Sequence, residues 1–282
     1  MADQNLSTGE KLIESGLRLY DRFSDRKTMP TNRRIFLESV LDKTKNPITE
    51  ASFNQAELNA LSEVIFNKYK SISPLLDQYE GYLSNELKKH NKAVAEKNKD
   101  RVMYPEFAKR YSEDLAAIQA YKQGKLTPAF LDLASGVQDY PRSVAFREVG
   151  LNKKLNVKPI IGYEDYGIDA NEARQALAGQ DPRAALHTTL GRFRYEIDPT
   201  NNNLVIVDRY DFNPPASFIT GKTQAPSQVG TEQLVTSPEG LGGGVYGLLR
   251  QYAGRVLPEG SGRDVRIRLN NLAPVSKNSL TY

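Results

Sequence analysis

Two carboxylates and a phenol follow directly on a short apolar segment within residues 204–213. Residues 204–207 are Leu-Val-Ile-Val, which favour a buried strand, and the next six are Asp-Arg-Tyr-Asp-Phe-Asn. In an extended chain Asp208 and Tyr210 point to one face, whereas Arg209 and Asp211 point to the other. Two carboxylates at a strand end can bind a divalent cation or act as a general acid and base. This segment is therefore the first candidate for chemistry.

A structural role explains the same residues. Asp211 and Asn213 would accept hydrogen bonds from backbone amides in a turn, while Tyr210 and Phe212 would fill the core. The two prolines that follow would end the strand. The sequence thus leaves two interpretations open, a reaction site and a structural corner.

The scarcity of cysteine and histidine excludes several kinds of site. The chain contains no cysteine, which rules out disulfides, thiol nucleophiles and thiolate metal sites. Its two histidines are His90 and His187, too few for a histidine-rich zinc site. His90 lies among lysines on a predicted solvated helix face. His187 is expected to pack in the core or at a helix end.

Charge and hydropathy define the class of protein. The chain has 282 residues, 39% hydrophobic and 26% charged, which is typical of a folded globular protein. We find no secretory signal, and no apolar run approaches the roughly 20 residues that a membrane-spanning helix needs. We therefore expect no transmembrane segment and synthesis in a cytoplasm.

The C-terminal segment is basic. Residues 241–282 contain six Arg and Lys against two Asp and Glu, and the whole chain has a net charge of +4. Such a segment can bind nucleic acid through its phosphates. Ordinary solvated arginines on strand and helix surfaces are the alternative.

The elements that would position the candidate site fall into an α+β arrangement. Apolar residues at helical spacing, among them Leu12, Leu17, Leu19 and Phe23, predict amphipathic helices, which should pack on one another or on other copies of the chain. The predicted helix starts are at Asn54–Glu57, Pro74, Pro105, Thr127–Pro128 and Asp181–Pro182.

From residue 191 the period changes to two. Residues 193–197 and 204–207 flank a turn and predict a hairpin, and residues 265–269 predict a last strand with outward arginines. We expect a small antiparallel β-rich domain after the helical region. The predicted divisions are a helical region 1–150, an extended arm and short helices 151–184, a β-rich domain 185–272 and a tail 273–282. Within them, the arm 158–168, the long loop 214–244 and the tail are expected to reach neighbouring chains.

The acidic segment resembles the catalytic domain of colicin M-type bacteriocins. Asp208, Tyr210 and Asp211 match the family motif, and the helix 247–250 and the strand 265–269 follow in the family's order. The resemblance implies a phosphodiesterase that cleaves the lipid-linked peptidoglycan precursor with Mg²⁺. It implies that Asp208 and Asp211 bind the metal or activate water, that Tyr210 positions the substrate and that Arg250 binds phosphate.

The match has one departure. The family places a His-Arg pair shortly after the motif, where this sequence has Ser217 and Phe218. No histidine follows Asp208. The chain lacks the family's imidazole at that point, so catalysis is the alternative prediction rather than the leading one.

A wider resemblance is to phage virion structural proteins. It rests on Lys-Asn-Pro-Ile-Thr-Glu at 45–50, on residues 189–195, on the acidic motif and on residues 246–250 and 257–260. It implies an internal, connector or tail-associated virion component without a cofactor. Its partners would be other virion proteins and copies of itself, and this is the leading prediction.

Overall fold

Helices form most of the first half of the chain and strands lie in the second half, which confirms the predicted α+β class. The computed structural model describes residues 8–29, 31–151, 154–169, 172, 181–201, 203–210 and 262–269. The helices described are α1 (Thr8–Phe23), α2 (Thr31–Val40), α3 (Gln55–Asn67), α4 (Ser73–Ala95), α5 (Pro105–Lys122), α6 (Pro128–Ala134), α7 (Tyr140–Glu148) and α8 (Pro182–Thr189). The strands described are β1 (Ile160–Ile161), β2 (Phe193–Ile197), β3 (Leu204–Tyr210) and β4 (Arg263–Leu269).

Side-chain capping bonds confirm the predicted helix starts at Asn54, Thr127 and Asp181. The backbone amide of Glu57 donates to Asn54 Oδ1 at 2.9 Å, and the amide of Asn54 donates to Glu57 Oε2 at 2.9 Å, which completes a capping box. The Thr127 hydroxyl accepts from the amide of Phe130 at 3.1 Å. Prolines occupy the first turns of α4 to α8, where a missing backbone N–H costs nothing.

The strands form one antiparallel sheet in the order β1-β2-β3-β4. The predicted hairpin joins β2 to β3, and its turn is closed by the amide of Asp198, which donates to the Asn203 carbonyl at 2.8 Å. Along β4 buried and exposed residues alternate strictly. Period-two alternation therefore predicted β2 and β4, and the apolar run predicted β3, whereas β1 was not predicted as a strand.

The described chain divides into two compact units, and each draws on both halves of the sequence. Unit 1 contains the described residues of Met1–Leu61, Gly162–Arg194 and Ile206–Arg268. Unit 2 contains the described residues of Ser62–Ile161, Tyr195–Val205 and Leu269–Tyr282.

In unit 1 a distant part of the chain pairs with β4. The amide of Ile48 donates to the Asp264 carbonyl at 2.8 Å, and the amide of Arg266 donates to the Ile48 carbonyl at 2.8 Å. Ile48 and Val265 form a parallel bridge, and both side chains are buried. These bonds join residues more than 200 positions apart along the chain.

Arg263 belongs to the interior of unit 1. Its side chain is buried, and Nε donates to the Asn46 carbonyl at 2.8 Å. Nη1 donates to Glu38 Oε2 and to Ser39 Oγ, each at 3.2 Å. This arginine therefore contributes nothing to the basic surface suggested for the C-terminal segment, while the other arginines of β4 are exposed as predicted.

A buried ion-pair network joins α4, α5 and α7 in unit 2. The side chains of Arg142 and Asp114 are 0% exposed, and Arg142 donates to both carboxylate oxygens of Asp114, at 3.0 Å and 2.6 Å. Arg142 Nη1 donates to Asp132 Oδ2 at 2.8 Å. The Tyr79 hydroxyl donates to Asp114 Oδ2 at 3.0 Å. Every charge in this network has a partner, which is the condition for burying charge in a core.

The segment 158–168, predicted as a connecting arm, makes contacts within the chain on both sides of the boundary between residues 161 and 162. The Pro159 carbonyl accepts from the amide of Tyr195 at 3.1 Å, which holds β1 to β2. Ile161 and Tyr166 are both buried. The long loop 214–244, the helix 247–250 and the tail 273–282 lie outside the described residues. Among the helices described, none is long and apolar enough to cross a membrane.

Candidate functional site

Strand β3 carries Asp208 and Tyr210 on its less exposed face. Ile206 is buried and Asp208 and Tyr210 are half-buried, whereas Val207 and Arg209 are exposed. This alternation matches the faces predicted from the extended chain. Asp211 and Arg250 lie outside the described residues, so the predicted Asp208–Asp211 metal pair and the phosphate contact of Arg250 remain predictions.

The Asp208 carboxyl lies in an environment that disfavours its charge. Burial raises its pKa to about 6, and one hydrogen bond from the amide of Arg209 acts in the opposite direction. Among the causes that set this pKa, no described cation acts against the effect of burial. A carboxyl with such a pKa can both accept and release a proton near neutral pH.

Tyr166 is the buried neighbour whose ionisation Asp208 opposes. Burial raises the pKa of Tyr166 well above its usual value, and the charges of Tyr163, Asp208 and Asp165 add to the effect. The neutral phenol donates to the Gly191 carbonyl at 2.6 Å. Tyr166 is therefore a fixed hydrogen-bond donor and not a proton acceptor at neutral pH.

His187 on α8 packs between two tyrosine rings, in agreement with the packing role expected for it. Its ring centroid lies 5.1 Å from that of Tyr163 and 5.3 Å from that of Tyr166. Burial lowers the pKa of the imidazole, so the ring is neutral at physiological pH. Its Nδ1 is buried without a hydrogen-bond partner among the described residues. We call Tyr163, Tyr166, His187 and Asp208 the Tyr166 cluster, and all four belong to unit 1.

Local turns place these side chains. A short 3-10 helix, Tyr163–Tyr166, carries both tyrosines on one turn, and Asp165 Oδ2 accepts from the amide of Gly162 at 2.7 Å. Gly191 has φ 57°, and an added Cβ there would lie 3.1 Å from the Tyr163 hydroxyl. A side chain at Gly191 would therefore both strain the backbone and displace Tyr163.

The end of β3 is also closely packed. A Cβ added at Gly262 would lie 2.7 Å from the Tyr210 carbonyl oxygen, which no real side chain tolerates. Only glycine lets β4 begin so close to the end of β3.

The sequence identified Asp208 and Tyr210 as candidate residues, but it did not identify the other residues of the Tyr166 cluster. Nothing local in the sequence joins residues 163–166 to His187 and to β3, because the contacts are long-range. Within the described residues there is no group of three or more His, Cys, Asp and Glu side chains arranged to hold a metal ion. His90 accepts a hydrogen bond from the amide of Met103 at 3.1 Å and takes no part in the cluster. Comparison with protein-family models, with curated proteins and with solved structures found no match.

Proposed function

We propose that this chain is a structural component of a bacteriophage particle and acts by packing against other virion subunits. The observation that carries the proposal is an exposed aromatic patch on unit 2, formed by Tyr104, Phe107 and Tyr140. Tyr104 is 73% exposed and Tyr140 is 72% exposed, although both rings are large and amphipathic. Aromatic side chains of this kind are concentrated at the centres of protein–protein interfaces.

The patch is organised before any partner binds. The Phe107 ring lies 5.5 Å from Tyr140 at 90° and 6.4 Å from Tyr104, so Phe107 links the two tyrosines. Rings that already rest on one another lose less conformational entropy on binding. This arrangement favours a specific docking surface over scattered exposed residues.

Charge around the patch favours a protein partner over nucleic acid. Arg110, on the same helix as Phe107, forms ion pairs with Asp139 and with Glu113. Its charge is thus largely neutralised within unit 2, and a phosphate backbone would gain little from it. We therefore place other virion proteins, and copies of this chain, as the partners.

Incorporation into particles tests this proposal. Mass spectrometry of purified particles of the encoding phage is expected to find the chain at a constant copy number. The double substitution Tyr104→Ser and Tyr140→Ser is expected to reduce incorporation about tenfold or more, since interface aromatics are often hot spots. Val94→Ser, an exposed apolar position on α4 of the same unit, is the control. A chain absent from purified particles contradicts the proposal.

A second candidate is hydrolysis of the lipid-linked peptidoglycan precursor, and the environment of Asp208 favours it. Asp208 occupies the strand end that the colicin M resemblance marks as acidic, and its carboxyl has a pKa of about 6 beside a buried phenol. In such a reaction Mg²⁺ would stabilise the negative charge on the phosphate oxygens. In the described part of the chain, Asp208 would contribute a proton acceptor and the Tyr166 cluster would hold its surroundings dry.

The second candidate has its own test. Purified protein would be incubated with the lipid-linked precursor and Mg²⁺, and Asp208→Asn is expected to lower the rate by about 100-fold or more if the carboxyl transfers a proton. Asp264→Asn, an exposed carboxylate on the neighbouring strand, is the matched control. Equal rates for the two variants, or no hydrolysis by the unaltered protein, would exclude this candidate.

A further inference from the structure

Helix α1 exposes an apolar stripe. Leu12 is 76% exposed, Leu19 is 58% exposed and Phe23 is 80% exposed. At about 100° per residue these three side chains project within about 40° of one another on the helix surface. Scattered apolar residues on a surface are ordinary, but an aligned stripe on an amphipathic helix indicates a surface that is normally covered.

The other side of α1 is attached to unit 1. Leu17 is buried. Arg26, just beyond the helix, donates to Asp21 at 2.6 Å and to Asp42 at 2.5 Å, and so ties the end of α1 to the second residue after α2. These two carboxylates raise the pKa of Arg26. The stripe is therefore held in a fixed outward orientation.

Charge on α1 is distributed unevenly around the stripe. Lys11, Arg18 and Arg22 are exposed and fall on one flank. The acidic residues Glu14 and Asp21 are half-buried and form ion pairs with arginines at 2.6 Å. Among the charged residues of α1 whose side chains are described, the basic ones are thus exposed, while Glu14 and Asp21 are half-buried.

We infer that the α1 stripe lies on the surface of an anionic lipid bilayer. Leucine and phenylalanine would enter the boundary of the acyl chains while Lys11 and Arg22 meet the lipid phosphates, as in interfacial amphipathic helices. Arg18 on the same flank is paired with Glu14. Tyr20, partly exposed on the flank opposite the basic residues, suits the headgroup level. The helix would lie in the plane of the membrane. This inference goes beyond the proposed function and does not depend on it.

A second copy of the chain fits this surface less well. An antiparallel pair of α1 helices would place the two basic flanks beside each other, and like charges across an interface repel. An anionic bilayer instead satisfies the stripe and its flank together. Compared with an antiparallel pair, charge therefore favours the lipid surface as the occupant.

Vesicle sedimentation tests the inference on the full chain. The protein is expected to sediment with vesicles of phosphatidylglycerol and phosphatidylcholine, less with phosphatidylcholine alone, and less as salt rises. Leu19→Glu with Phe23→Glu is expected to weaken binding about tenfold or more. Lys11→Glu with Arg22→Glu is expected to weaken binding to the anionic vesicles by at least about tenfold, since each basic residue contributes about fivefold. Val94→Glu in unit 2 is the control and is expected to bind like the unaltered protein.

A second readout locates the contact. The chain contains no tryptophan, so Phe23→Trp introduces a single fluorophore on the stripe. Its emission is expected to shift to shorter wavelength on addition of anionic vesicles and to be quenched by brominated lipid. Absence of sedimentation, or equal binding by the glutamate variants, overturns the inference. If the glutamate variants change the oligomeric mass of the lipid-free protein in solution, the stripe contacts a second copy of the chain. That result would also overturn the inference.

Discussion

Asp114→Asn is expected to lower the free energy of unfolding of unit 2 by about 3 kcal/mol, because it leaves a buried arginine without its main counter-charge. Arg142 donates to both oxygens of Asp114, at 3.0 Å and 2.6 Å, and neither side chain has any exposure to solvent. In the variant, only the partly exposed Asp132 carboxylate would still face the guanidinium. The uncompensated burial of charge dominates the loss.

The preceding residue on the same helix supplies a matched control. Glu113 is exposed and pairs with Lys109 at 4.0 Å and with Arg110 at 3.2 Å. Glu113→Gln removes the same charge from α5 but is expected to cost less than about 0.5 kcal/mol, since solvent screens such pairs. Urea unfolding followed by circular dichroism compares the two variants. Equal losses would mean that the buried network contributes no more than a surface ion pair.

Hydrogen exchange tests the same prediction locally. Amides of α4, α5 and α7 are expected to lose protection in Asp114→Asn, because Tyr79, Asp114 and Arg142 link these three helices. Replacing Arg142 as well, by Met, is expected to restore part of the lost stability, since it removes the unpaired charge. A double variant less stable than Asp114→Asn would contradict this account.

The network also shows where sequence patterns stop being informative. Pro105 and Thr127 announce helix starts through local chemistry, and the structure confirms both. Tyr111 and Ile118 lie on the buried face of α5, and the centre of that face is Asp114, whereas Leu115 is half-buried. Asp114 lies three residues after the core residue Tyr111 and four before the core residue Ile118. Helical spacing alone therefore places this acid on the buried face. Its partner on α7 could not be found from spacing, since only tertiary packing brings the two helices together.

Arg263 offers a similar lesson on a strand. It shares the period of Val265, Ile267 and Leu269, so alternation alone places it on the buried face of β4. Counting it with the basic C-terminal surface ignored that period. Its acceptors at residues 38, 39 and 46 lie too far away in sequence for any local pattern to suggest.

The candidate site was predicted in part. The strand, its faces and the position of Asp208 followed from alternation and propensity. The resemblance places an imidazole shortly after the motif, and this sequence has no histidine there. The fold instead packs His187, which precedes the motif, against Tyr166 in the cluster that also contains Asp208. Order along the chain could not reveal this arrangement, because α8 and β3 meet only in the folded unit.

Asp208→Asn is expected to stabilise unit 1 at neutral pH by about 2 kcal/mol, after allowance for the partial exposure of Asp208. Folding raises the pKa of this carboxyl from 3.8 to about 6. Asp208 therefore costs almost no stability well below pH 3.8, where it is neutral in both states, and stability falls as pH rises from there toward 6. Asparagine has no charge to bury, so the variant gains over the unaltered protein across that range and the gain is constant above it.

His187 changes stability in the opposite direction, and the comparison of two variants removes its effect. Burial lowers its pKa, so its contribution is present above about pH 6.5 and is lost as pH falls. Because both proteins retain His187, the difference between them isolates Asp208. Thermal unfolding at pH 4 and pH 7 measures that difference, with Asp264→Asn as the exposed control. Stabilisation at pH 7 alone would identify Asp208 as a residue kept at a cost to stability, which is typical of functional positions. Destabilisation at both values would make it a structural joint that fixes the end of β3.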